Sequence, residues 1–171
     1  MVLRRLGAAA FLLGIVALAW AGWSTLGRVA PGRPAPAAQG AVPWQEEAWP
    51  AVVALNRAAV AYAPSGDLHQ VAPYLDLAGP AYQEFKAAQQ ERAAQGIVRR
   101  SALREGPTLR RAWQEGAALF VETGETWDEV GYRLETGEVV YVVSAAASVQ
   151  RYELRRGADG RLRVWAIEEV P

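Results

Sequence analysis

The sequence predicts an α+β domain in which three helices pack on a strongly bent antiparallel sheet of about four strands, preceded by a transmembrane helix. Three observations predict it. Residues 6–27 form an uncharged run, long enough for the roughly 20 helical residues that cross a bilayer. Between Trp44 and Gly96 apolar residues recur near helical spacing, whereas from Ile97 onward they alternate with period two between Gly-containing turns. Helices first and strands after, with turns too short for crossovers, give antiparallel α+β rather than alternating α/β.

Composition narrows the class of function. With 171 residues, 51% of them apolar, and seven Trp, the chain can build one well-filled domain plus an appendage. Arg4, Arg5, Arg28 and Arg33 leave 14 of the 18 basic residues for the stretch from Trp44 onward, where they meet all 18 acidic residues, a net charge of −4. That balance excludes the basic footprint of a nucleic-acid binder. The absence of cysteine excludes disulfides, thiolate catalysis and thiolate metal sites. One Lys beside 17 Arg, with abundant Ala, fits a GC-rich bacterial genome.

Residues 1–27 read as a signal-anchor. Arg4 and Arg5 precede the apolar run and favour a cytoplasmic amino terminus, while Trp20 and Trp23 lie near its outer end, where aromatic rings prefer the headgroup region. The domain is then expected outside the cytoplasmic membrane. Ala19-Trp20-Ala21 also fits a signal-peptide cleavage site, which would release a secreted form starting at Gly22. Residues 28–43 form a Pro/Ala/Gly-rich linker with no apolar face to pack. The folded domain is residues 44–171.

The first helix is predicted over 44–63 from Trp49, Val52, Val53, Val60 and Ala63, with Pro50 in its first turn, where the missing N–H is not needed. Pro64-Ser65-Gly66 ends it. Asp67, with Gln70 three residues on, caps a short second helix to about Leu75. Gly79-Pro80 opens the third, which runs through Tyr82, Phe85 and Ala93 to a C-cap at Gly96.

A first strand over 97–103 should end at Gly106-Pro107. In the second, Leu119, Val121, Thr123 and Trp127 share one parity and Val130, Tyr132 and Leu134 the other, so a bulge is expected around Asp128-Glu129. Thr136-Gly137 turns into a third strand from Val139, and Gly157-Ala158-Asp159-Gly160 closes the last hairpin. Counting back from an Arg156–Arg161 pair sets Tyr152 opposite Trp165, an aromatic cross-strand pair.

The segment from Ala51 to Val170 resembles the nuclear-transport-factor-2-like (NTF2-like) cone fold, and more narrowly the intermembrane-space domain of plastid and cyanobacterial division proteins. The matching residues are 74–80 (YLDLAGP), 125–127 (ETW) with Gly131-Tyr132, and 151–156 (RYELRR) followed by Asp159-Gly160 and 164–167 (VWAI). The resemblance implies three helices over a curved sheet and a non-catalytic domain, presented beyond a membrane, that receives a partner. This chain lacks the long upstream region with helical repeats of the division proteins, so the implied role is tethered partner binding rather than division itself.

Trp127, Tyr141, Tyr152, Trp165 and Ile167 are the candidate binding residues, expected to line the concave face and accept an apolar group, since Trp and Tyr are common interface anchors. Trp49, Tyr82 and Phe85 are the helical residues that would fill the cone beneath them. An enzyme of this fold would need an acid-base carboxylate with a Tyr, drawn from Asp76 or Asp128 with Tyr74, Tyr141 or Tyr152, but no spacing selects a pair. The single His69, at the second position of a short capped helix, reads as solvated. No cofactor or metal is expected.

The basic row Arg99, Arg100, Arg104, Arg110 and Arg111 can pair with the acidic row from Glu122 to Glu138 if the first two strands are neighbours. The expected function is a membrane-tethered extracytoplasmic scaffold for an envelope protein partner, with a homodimer through the sheet compatible with the fold. The alternatives are a cone-fold enzyme and a secreted small-ligand binder.

Overall fold

A computed structural model describes residues 43–171, which form one unit. The expected transmembrane helix over residues 1–27 and nearly all of the linker lie outside the described residues. No helix among the described residues is long and apolar enough to cross a membrane.

Helix α1 spans Pro43–Ser65. Its buried residues Ala48, Val52, Leu55 and Tyr62 recur at three- and four-residue steps or their sum, so they form one stripe against the sheet. Val53 and Val60, expected on this stripe, sit at its half-buried margins. Pro50 lies inside the helix rather than in its first turn. Its ring is exposed, so the cost is confined to one forgone intrahelical bond on the solvent side.

The expected second helix is instead two 3-10 turns, Leu68–Gln70 and Ala72–Tyr74. Asp67 does cap the first, accepting from the His69 N–H at 3.0 Å. Pro73 has no N–H to continue an α-helical ladder, which accounts for the break. Val71 and Leu75, both fully buried, pin the turns to the core. The following segment docks on the sheet, where the Asp76 N–H donates to the Val164 carbonyl at 2.9 Å.

Helix α2 spans Pro80–Gln95 between Gly79 and the left-handed C-cap Gly96, as the sequence predicts. Ala81, Tyr82 and Phe85 face the core. The Phe85 ring meets Tyr62 edge-on at 5.1 Å, and the Tyr62 hydroxyl donates to the Phe85 carbonyl at 2.7 Å.

The sheet is a four-stranded antiparallel meander of β1 (Ile97–Glu115), β2 (Ala118–Arg133), β3 (Val139–Arg156) and β4 (Leu162–Val170), in that spatial order. Three expectations are corrected. Strand β1 does not end at Gly106-Pro107 but passes through it with shifts of register between Leu103 and Thr108, because Gly106 at φ 91° lets the backbone bend and pair again with β2.

A bulge does face Asp128, but the extra residue belongs to β3: Trp127 opposes Ala146 and Glu129 opposes Val143, with Ala145 at φ 53°. Parity in β2 is therefore unbroken. Glu129 and Gly131 continue the inward row, and Val130, Tyr132 and Leu134 face outward.

In the closing hairpin Arg156 opposes Leu162, because Gly157 and Arg161 are already joined inside the turn by a 2.9 Å backbone hydrogen bond. A further shift at Glu153/Leu154 sets Tyr152 opposite Ile167 and leaves Trp165 as the extra residue of β4. The predicted Tyr152–Trp165 pair does not form. The Trp165 ring instead lies under the Arg155 guanidinium, 3.9 Å from its centroid.

The core is one cluster in which Leu55 and Tyr62 of α1, Val71 and Leu75 of the turns, and Val121, Tyr152, Leu154 and Val164 of the sheet are at most 3% exposed. Each such aliphatic side chain contributes about 1.5–3 kcal/mol by leaving water.

Gly79 is where the helical layer comes closest to the sheet, since a Cβ there would sit 2.5 Å from the Trp165 carbonyl oxygen. Backbone on backbone cannot be relieved by a rotamer change. Gly79→Ala is expected to cost about 1–3 kcal/mol, read as a lowered midpoint in urea unfolding of the full chain.

Candidate functional site

The inward row of β2 carries the polar chemistry of the concave face. Thr123, Glu125, Trp127 and Glu129 are spaced by two, so a half-buried strand aims all four at the helices. Thr123 is fully buried and Glu125 is 4% exposed, a location for a carboxylate that requires compensation.

It is compensated by four partners on three elements. The Tyr152 hydroxyl and the Thr123 hydroxyl each donate to Glu125 Oε1 at 2.7 Å, and the Trp127 indole N–H donates to Oε2 at 2.9 Å. Asn56 of α1 completes the set, its side-chain amide donating to Glu125 Oε1 at 3.4 Å, to the Tyr152 oxygen at 3.0 Å and to the Val52 carbonyl at 3.2 Å. Burial, followed by the neighbouring Glu125 carboxylate, pushes the Tyr152 phenol well above its ordinary range.

A second cluster occupies the mouth of the cone. Glu129 accepts from the Tyr141 hydroxyl at 2.6 Å and the Ser101 hydroxyl at 3.2 Å, and forms an ion pair with Arg99 at 3.4 Å. Burial, then the hydrogen bond to Glu129, raises the Tyr141 phenol. The Tyr141 ring lies flat across Gly131, where any Cβ would collide with it. Arg92 of α2 closes the cluster from above, 4.6 Å over the Tyr62 ring, with its Nη1 donating to the Ala63 carbonyl at 2.9 Å.

The predicted site residues therefore divide. Trp127 and Tyr152 meet through Glu125, Tyr141 stands at the mouth with Glu129, and Ile167 backs Tyr152 from β4 as part of the core margin. Trp165 is not on the concave face, because the β4 shift turns it to the side where Arg155 stacks. Of the carboxylates weighed for acid-base work, Asp128 braces the β3 bulge, accepting from the Ala145 N–H at 2.8 Å and from Arg104 at 2.8 Å. Asp76 accepts from the Ala78 N–H in a local turn. Glu125, Asn56, Arg92 and Arg99 were missed as site residues, although the period-two row through Thr123 and Trp127 contains Glu125.

The expected pairing of the basic and acidic rows forms, once at the inward mouth and otherwise on the outer face, which carries a separate brace. Arg99 pairs with Glu129, Arg104 with Asp128 and Arg111 with Glu122. Arg111 grips Glu122 through Nε at 2.6 Å and Nη2 at 2.8 Å, while Arg151 of β3 reaches the same carboxylate at 2.8 Å. The hydrogen bond from Arg111 is the main reason the Glu122 carboxyl is held down at about 2. Trp113 stacks on Phe120 at 5.2 Å and lies under the Arg111 guanidinium, shielding the brace.

Comparison with known proteins places the fold. No family model matches the sequence, and no curated protein matches it. Among solved structures, the intermembrane space region of the chloroplast protein ARC6 superposes with a TM-score of 0.57 at 16% identity, covering 73% of this chain and 95% of that one. A ketosteroid isomerase-like protein from Erwinia carotovora atroseptica matches at 0.46 and 16% identity, over 74% of this chain and 95% of its own. An NTF2-like superfamily protein from Salmonella enterica matches at 0.48 and 9%, over 74% and 89%. The described residues share the fold of the ARC6 region, helical segments over a bent four-stranded antiparallel sheet, as the cone fold expected from the sequence requires.

Two outcomes test the electrostatics. Tyr152→Phe removes one donor from a buried carboxylate and one of the three acceptors of the Asn56 amide, so it should cost about 1–3 kcal/mol in urea unfolding. Glu122→Gln should lower the thermal midpoint at pH 7. Because the folded pKa is depressed, the stabilisation is present above the unfolded carboxyl's range and lost as pH falls through about 2. The gap between wild type and variant should therefore close between about pH 4.5 and 2, and a gap independent of pH would contradict the assignment.

Proposed function

We propose that this protein is a non-catalytic binding module, held on the outer side of a bacterial cytoplasmic membrane by residues 6–27, whose cone mouth engages an envelope protein partner. The observation that carries this reading is the saturation of the concave-face carboxylates. Glu125 accepts from Tyr152, Thr123 and Trp127, and Glu129 accepts from Tyr141 and Ser101 and is ion-paired with Arg99. A general base needs a lone pair free to take a substrate proton, and a general acid needs a pKa near the working pH. Raised phenols locked onto carboxylates offer neither.

Two further points support the reading. The resemblance to a domain that itself lies in an intermembrane space favours presentation beyond a membrane. The mouth combines half-buried Leu103 and Trp127 with Tyr141, an aromatic and apolar surface of the kind that anchors protein partners.

The test is site-specific photo-crosslinking of the full chain in its native membrane, with a benzoylphenylalanine replacing Leu103 at the mouth or Leu134 on the outward-facing side. A discrete adduct from position 103, absent from position 134, is expected in the membrane fraction. Identical adduct patterns at both positions would remove the mouth as a binding surface. Recovery of the chain in the soluble fraction beginning at Gly22 would replace the anchored form by the secreted one.

A further inference from the structure

The mouth of the cone holds an unusual excess of hydrogen-bond donors. Arg92 Nε, Arg92 Nη2 and Arg99 Nε are buried and have no hydrogen-bond partner. Buried polar groups are nearly always paired, and a charged donor left unpaired is costly, so such atoms call for a partner. The two guanidiniums also sit near each other. Burial, and after it the Arg99 charge, lowers the pKa of Arg92, a penalty that a nearby anion would remove.

The pattern of the unpaired atoms identifies the kind of partner. Arg92 spends Nη1 on the Ala63 carbonyl, which leaves its Nε–Nη2 edge unpaired. That edge is the planar fork that matches the two oxygens of a carboxylate. The same molecule shows the match on its outer face, where Arg111 holds Glu122 through Nε at 2.6 Å and Nη2 at 2.8 Å. Arg99 forms its ion pair with Glu129 through Nη1, so its Nε is a third unpaired donor, on a residue close enough for its charge to act on Arg92.

Charge points the same way. Two arginines against the single carboxylate of Glu129 leave one positive charge, which a monoanion balances and a phosphate dianion would exceed. The Arg99 side chain is 22% exposed, so the cluster opens to solvent on the β1 side.

We infer that Arg92 and Arg99 form a carboxylate-binding site at the mouth of the cone, in which the Nε–Nη2 fork of Arg92 takes both oxygens and Arg99 Nε takes one of them. The Tyr62 ring under Arg92 and the Tyr141 ring across Gly131 give the site apolar flanks, which suit an apolar substituent on the carboxylate better than a second charge. The site is independent of the partner reading, since a free small acid and a chain-borne carboxylate would both present the chemistry it recognises.

The experiment is saturation-transfer NMR on the full chain in detergent micelles at neutral pH, with chloride matching ionic strength. Two probes are used: acetate, and a short peptide capped at both ends with one glutamate. Saturable transfer to acetate identifies a free acid as a ligand, and transfer to the peptide alone identifies a chain-borne carboxylate. Either is expected to weaken at least tenfold in Arg92→Gln. Since Arg92 also caps α1, Arg99→Gln serves as the second variant and should weaken binding severalfold, whereas the exposed Arg100→Gln should leave it unchanged. No saturable transfer to either probe in the wild type, or equal transfer in Arg92→Gln, Arg99→Gln and Arg100→Gln, would overturn the site.

Discussion

Burying a carboxylate without partners costs several kcal/mol, and the placement of Glu125 makes the rest of the concave face answer to that cost. Its oxygens draw in Tyr152 from β3, Thr123 and Trp127 from its own strand, and through Tyr152 the Asn56 amide of α1. Those contacts fix how α1 sits over the sheet, because Asn56 lies on the same buried stripe as Val52 and Leu55. Apolar packing supplies most of the stability, and the network selects one register of helix against sheet. A slip of β2 by one residue would expose Glu125's donors on the inside and drive Glu122 into the core.

The curvature that makes room for α1 is built from local irregularities rather than from a uniform twist. Gly106 lets β1 bend, the Ala145 bulge bends β3, and the extra residue at Trp165 bends β4. The last two are each held by a named contact. Asp128 accepts the Ala145 N–H, and the Asp76 N–H on Val164 ties the helical layer to β4 one residue before its bulge. On the convex side the Arg111–Glu122–Arg151 brace spans three strands, where a bent sheet would otherwise splay.

The same fold is compatible with catalysis and with binding, so function is argued from the site rather than the architecture. Here the two inward carboxylates and their phenols form closed sets, while unused donor capacity lies on Arg92 and Arg99. A face with its proton acceptors occupied and its cationic donors unpaired is the basis of the proposed binding role.

The helical and strand segments, their order and the antiparallel meander follow from the sequence alone, because apolar periodicity and Gly/Pro punctuation are local signals. So do the α2 caps at Gly79 and Gly96 and the pairing of the basic row of β1 with the acidic row of β2. The parity of β2 was legible only from Leu119 to Trp127, an alternation that already contained Glu125, although a buried Glu is hard to credit until its donors on other elements are seen; beyond Trp127 the predicted parity change belongs to the bulge in β3. What only the tertiary structure decided are the bulges and the partners they create. A shift of one residue depends on hydrogen bonds such as Gly157 to Arg161 and on Asp128 reaching Ala145, contacts made across the fold or inside a turn. That shift turned Trp165 outward and set Ile167 against Tyr152. Arg92 and Arg99 came together for the same reason: one lies on a helix and one on a strand, and no spacing along the chain encodes the distance between them.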